Sequence, residues 1–109
     1  MWWSRRFITI VKTGYVYITS NRNRTTLYVG VTSNIKKRVF QHKFAKGSKF
    51  TSKYNCCDLL YLETIPGMMN AINREKQLKR WHRDWKWNLI KEGNPELRDL
   101  SEGWFGDSG

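Results

Sequence analysis

Residues 15–42 read YVYITSNRNRTTLYVGVTSNIKKRVFQH, and two runs within them, 15–19 and 26–31, consist mainly of β-branched and aromatic residues. They flank a polar segment rich in Asn, Arg and Ser, the pattern of a β-hairpin. Alternation places Tyr15, Tyr17 and Thr19 on one face of the first strand and Val16 and Ile18 on the other. In the second strand Leu27, Val29 and Val31 share a face, opposite Tyr28 and Gly30. The aliphatic faces are expected to form the core while Tyr17 and Tyr28 look outward together. Gly30 inside a strand signals a bulge or a close approach to the backbone. Arg22 and Arg24 in the connecting loop are read as solvated or phosphate-touching.

Immediately after the hairpin, Thr32-Ser33-Asn34 starts a helix, with Thr32 or Ser33 as N-cap, running to about Phe44. Ile35 and Val39 face the core, whereas Arg38 and His42, four residues apart, share a neighbouring face. That face would overlook the tyrosines. Gly47 ends the helix, and a basic loop leads to a third strand over residues 58–64, with Leu60 and Leu62 on one face. Pro66-Gly67 breaks that strand. From Met68 an apolar stripe of Met68, Ala71, Ile72 and Leu78 describes a helix and continues through Trp81, Trp85 and Leu89. One bent helix or two consecutive ones would reach about Ile90, stopped by Gly93 and Asn94-Pro95. Glu75 lies within the stripe, where an unpaired carboxylate is costly, so a cation, a metal or a hydrogen-bond set is expected beside it. Leu97, Leu100 and Trp104 would pack the end back onto the body.

The 109 residues suit one domain, with residues 1–13 an arm or extra strand, 14–102 the body and 103–109 a frayed tail. A formal charge of +11 points to a polyanionic partner, and six Trp among the charges suit nucleic acid. Cys56 and Cys57 are adjacent and point apart on a strand, which fits neither a disulfide framework nor a shared metal site. No apolar run approaches the length of a membrane span, and the apolar stretch near the N-terminus is too short for a secretory signal. A cytoplasmic location is the expectation.

Against a polyanion, Tyr17, Tyr28, Arg38, His42 and Glu75 have the chemistry of phosphodiester hydrolysis. Arginine matches phosphate through a planar, permanently charged fork. A carboxylate can hold Mg²⁺ at the leaving oxygen. A tyrosine whose pKa falls under surrounding positive charge can serve as general base, assisted by His42.

These segments resemble the GIY-YIG endonuclease superfamily, in its small stand-alone bacterial form. YVYI (15–18) and LYVG (27–30) resemble its paired motif, and TSNIKKRVFQHK (32–43) resembles its Arg- and His-bearing helix. INREKQLKRW (72–81) is similar to its metal-binding segment, and WKWNLIKEGNPELRDL (85–100) to its C-terminal end. Val16 and Val29 stand where isoleucines are usual. The resemblance implies an α+β domain, a small three-stranded antiparallel sheet flanked by helices, with Mg²⁺- or Mn²⁺-dependent DNA cleavage of the kind used in repair or recombination. It implies catalytic roles for Tyr17, Tyr28, Arg38 and His42, substrate contact at Gly30, and one metal held by Glu75. The late asparagine of the family is Asn88 or Asn94. Lys36, Lys37, Lys43, Lys46, Lys49 and Lys53 are expected to meet the DNA backbone. No second domain that recognises DNA is read, which puts sequence specificity in doubt. The alternative is a nucleic-acid-binding module of the same fold with negligible cleavage.

Overall fold

A computed structural model of the chain describes residues 12–44 and 57–106. Three strands form one antiparallel sheet: β1 (Thr13–Ser20), β2 (Leu27–Thr32) and β3 (Asp58–Pro66), in the order β2-β1-β3. Helix α1 (Ile35–Phe44) follows β2, while α2 (Met68–Arg80) and α3 (Arg83–Gly93) follow β3. The three-stranded antiparallel sheet with flanking helices is the architecture that the family resemblance implies.

Strands β1 and β2 pair without a bulge, Tyr17 opposite Gly30 and Thr19 opposite Tyr28. The alternation therefore holds, and each face carries its own core. Val16, Ile18 and Val29 pack with Leu60, Ala71, Leu78 and Ile90, joining the sheet to α2 and α3. Tyr17, Val39 and Leu59 form a second cluster with Tyr28, Ile35 and Leu62 around them, joining the opposite face to α1. The expectation that the tyrosines look outward is thus corrected, since α1 folds back over them and Tyr17 is 0% exposed.

A register shift between Ile18 and Thr19 on β1 leaves Leu60 as the extra residue on β3, between Tyr61 opposite Ile18 and Leu59 opposite Thr19. The bulge separates two leucines expected on one face. Leu60 joins the α2–α3 core and Leu62 the tyrosine cluster.

Asn34, rather than Thr32 or Ser33, caps α1, because its Oδ1 accepts the Lys37 N–H at 3.1 Å. Thr32 Oγ1 instead accepts the Asn34 N–H at 3.1 Å and turns the chain into the cap. The long helical pattern is two helices, with Trp81 extended at the break. The break changes the phase, so Trp87, Leu89 and Ile90 face the core and Trp85 is 53% exposed. Close approach of α2 depends on Gly14, where an added Cβ would fall 2.4 Å from the Ala71 Cβ.

Beyond α3, Leu97 packs on the α2–α3 core, while Trp104 and Phe105 pack on the tyrosine cluster. Residues 104 and 105 are therefore part of the body rather than of a frayed tail, and Leu100 is exposed. Asp99 fastens this segment, accepting the Leu59 N–H at 3.0 Å and the Lys43 ammonium at 2.6 Å. Arg24 is neither solvated nor turned to phosphate. It donates to Asp58 at 2.7 Å and to the carbonyls of Asn21 and Leu97, and these bonds hold its backbone at φ 59°. The expected arm at residues 1–11, the loop carrying Gly47, Lys46, Lys49, Lys53 and Cys56, and residues 107–109 lie outside the described residues.

Candidate active site

Hydrogen bonds connect three of the expected site residues. The Arg38 Nε–H donates to the Tyr17 hydroxyl at 3.3 Å, and that hydroxyl lies 3.1 Å from His42 Nε2. The phenolic oxygen has lone pairs for both neighbours as well as a proton to give, so the imidazole tautomer sets which of Tyr17 and His42 donates. His42 Nδ1 is buried without a partner among the described residues. Helical spacing brings Arg38 and His42 to one side of α1, and the central strand presents Tyr17 to both. The Tyr17, Tyr28 and His42 rings lie together, with centroid separations of 6.3, 5.6 and 5.5 Å.

The electrostatics differ from the sequence expectation. Burial pushes the Tyr17 hydroxyl up to about 12, and the opposing bond and charge of Arg38 do not reverse this. Tyr17 is therefore protonated at neutral pH, which corrects the expectation that positive charge would make it a base. Burial, assisted by the Arg38 charge, lowers His42 to about 4, so its imidazole is neutral. Tyr28 is only partly buried, whereas Tyr17 has no accessible surface. Only Tyr28 of the pair can touch a solvent molecule or a ligand.

Gly30 is the position that admits the Tyr17 ring. A Cβ there would lie 2.3 Å from the tyrosine oxygen and 2.4 Å from Cζ. What approaches the strand backbone on this side is thus a neighbouring side chain of the same protein.

Glu75 is 13% exposed at its side chain, with one carboxylate oxygen 2.9 Å from the exposed Lys79 ammonium. Its charge contributes, as the smallest of the causes, to raising Tyr17. No group of three or more His, Cys, Asp or Glu side chains converges among the described residues. One carboxylate with an oxygen open to solvent suits Mg²⁺, which retains several waters and completes its shell with phosphate oxygens. It does not suit zinc, which takes at least three protein ligands.

A polar recess of about 480 Å³ opens at the start of α1, walled by Thr32, Ser33, Asn34, Lys37, Arg38 and Gln41. The Arg38 guanidinium reaches Gln41 Oε1 at 3.3 Å on its border. Lys36 and Lys37 are exposed beside it. Lys43, expected on the same surface, is bound to Asp99 and to the Cys57 carbonyl at 3.0 Å, a fastening of the C-terminal segment. Asn94 is 7% exposed and donates to the carbonyls of Leu60 and Arg98, whereas Asn88 is exposed on α3. Asp99 was missed as an organising residue, and the only local sign of it is the Asp-x-Ser turn in which it accepts from Ser101. No helix among the described residues is long and apolar enough to cross a membrane.

The family model described as the GIY-YIG catalytic domain matches residues 13–88. A UPF0213 protein of Syntrophus aciditrophicus is 40% identical over 83 residues, 75% of this chain and 93% of the relative. A UPF0213 protein of Staphylococcus haemolyticus is 33% identical over 78 residues, 72% of this chain and 94% of its own. One from Haloquadratum walsbyi is 32% identical over 79 residues, 72% of this chain and 88% of its own. No solved structure matches the chain. With the paired strands, the Arg38 and His42 helix and the Glu75 helix all inside the matched span, the chain belongs to the GIY-YIG family.

Proposed function

We propose that this protein is a Mg²⁺-dependent endonuclease that hydrolyses phosphodiester bonds in DNA. The observation that carries the reading is the hydrogen-bonded line Arg38–Tyr17–His42, whose arginine also walls the recess at the start of α1. A helix N-terminus with an arginine beside it favours a phosphate through its free N–H groups and positive end. Arg38 neutralises charge developing on the phosphoryl oxygens. Tyr28, the accessible tyrosine, orients the attacking water.

Tyr17 is a positioning residue. It holds the Arg38 guanidinium and keeps His42 Nε2 turned inward. As water attacks, Tyr28 takes the proton the water gives up while its own hydroxyl proton leaves to solvent, and the neutral His42 imidazole beside both tyrosine rings assists. Glu75 would hold the Mg²⁺ or Mn²⁺, which when bound supplies charge stabilisation at the leaving oxygen. One carboxylate favours one metal over a two-metal clamp.

The test is plasmid nicking in Mg²⁺ by the wild type, Arg38→Ala and Glu75→Gln. Nicking by the wild type that falls at least about a hundredfold in each variant is the expected result. Binding without any nicking in either Mg²⁺ or Mn²⁺ would instead assign the fold to nucleic-acid binding alone.

A further inference from the structure

The junction of α2 and α3 carries a surface that the cleavage chemistry does not use. Trp81 and Trp85 meet edge to face at 6.0 Å, and a shallow groove of about 200 Å³ lies between them, bounded by Asn88, Leu89 and Glu92. Trp81 is held in place, because the Arg74 guanidinium lies 5.4 Å from its ring centroid. Arg74 is itself anchored on Glu63 at 2.8 Å. Trp85 stands away from the core with His82 5.2 Å from its ring. At 81° to each other the two rings form a corner, with the exposed Trp85 indole as the shelf and the held Trp81 as its wall.

The segment that carries the two indoles is positive, with Glu92 an acidic group at the groove's far edge. Residues 79–86 read KRWHRDWK, four permanent cations against one carboxylate. Lys79 and Arg83 both depress the Lys86 pKa, after burial, so the three cations crowd one another. Lys79 also touches Glu75 at 2.9 Å, which makes this cation group continuous with the metal-binding carboxylate. Along α2 the shelf begins about 9 Å beyond Glu75. Bases of a duplex are stacked on each other and cannot lie on an indole, whereas an unpaired base presents its π-face to one.

We propose that the Trp81–Trp85 shelf binds an unpaired nucleobase of a single-stranded segment, with Lys79, Arg83 and Lys86 on the adjoining phosphates. This gives the enzyme a preference for DNA carrying a single strand next to the cleaved bond, and it rests on the nuclease reading only for that consequence.

The experiment measures binding of a fluorescein-labelled oligo(dT) and of a duplex of equal length by anisotropy, in EDTA, for wild type, Trp85→Leu and Trp85→Phe. Leucine keeps apolar bulk without a π-face, and thermal melting checks that each variant folds. The expected result is single-strand affinity reduced at least about fivefold by Trp85→Leu, retained by Trp85→Phe, with duplex affinity unchanged. Wild-type single-strand binding by a folded Trp85→Leu, or equal losses on both DNAs, overturns the proposal. If Trp85→Leu does not fold, folded Trp85→Phe decides through collisional quenching: oligo(dT) must shield the wild-type exposed indole from acrylamide more than it shields the Phe variant, and equal shielding overturns it. Plasmid nicking is scored separately, so a protein that binds oligo(dT) through Trp85 but never nicks refutes the nuclease reading and leaves the shelf standing.

Discussion

Gly30 and Tyr17 behave as one unit, since the ring of one occupies the side-chain space of the other. Gly30→Ala is expected to displace the tyrosine and destabilise the fold by about 1–3 kcal/mol, with loss of the Arg38 contact. Urea unfolding measures this, and a wild-type midpoint would show that the ring is not confined there. His42 gives the site a pH signature. Its folded pKa of about 4 lies below the ordinary 6.5, so between these values the unfolded chain binds more protons. Stability from this residue is fully present above about pH 6.5 and is lost as pH falls through about 4. The shift amounts to up to ~3 kcal/mol. Urea midpoints across this window should fall for wild type and flatten for His42→Gln.

Among the elements, the β3 bulge and the C-terminus of α3 are tied by one side chain. Asn94 donates to the carbonyl of Leu60, the bulged residue, and its Oδ1 accepts the Arg98 N–H at 3.0 Å. Asn94→Ala leaves these buried groups without partners and is expected to cost about 1–3 kcal/mol. Exposed Asn88→Ala should stay within about 0.5 kcal/mol of wild type. Thermal melts of the two variants separate the asparagines, and equal effects would contradict the assignment of Asn94 as the structural one. The break at Trp81 has the opposite character. It releases Trp85 from the core stripe, and that release creates the shelf.

For the whole molecule, a charge of +11 favours encounter with nucleic acid. Arg24, Lys43 and Arg74 are paired internally with Asp58, Asp99 and Glu63, and these neutral pairs leave the excess unchanged. That excess should make affinity fall at least about tenfold between about 50 and about 200 mM salt. Anisotropy titrations check this, and a flat response would remove phosphate neutralisation as the basis of binding.

Alternation and helical spacing by themselves determined the hairpin, its two faces, the α1 pairing of Arg38 with His42 and the place of Glu75 within an apolar stripe. These are local periodicities, imposed by backbone geometry whatever the rest of the chain does. Only the tertiary structure decided which face was covered. Packing α1 over the tyrosines buried Tyr17, raised its pKa to about 12 and turned an expected base into a support for Arg38 and His42. Desolvation depends on neighbours distant in sequence, and so do the partners that took Lys43, Arg24 and Asn94 inward. The bulge at Leu60 and the phase change at Trp81 likewise arise where one element must fit another, beyond the reach of any periodic pattern.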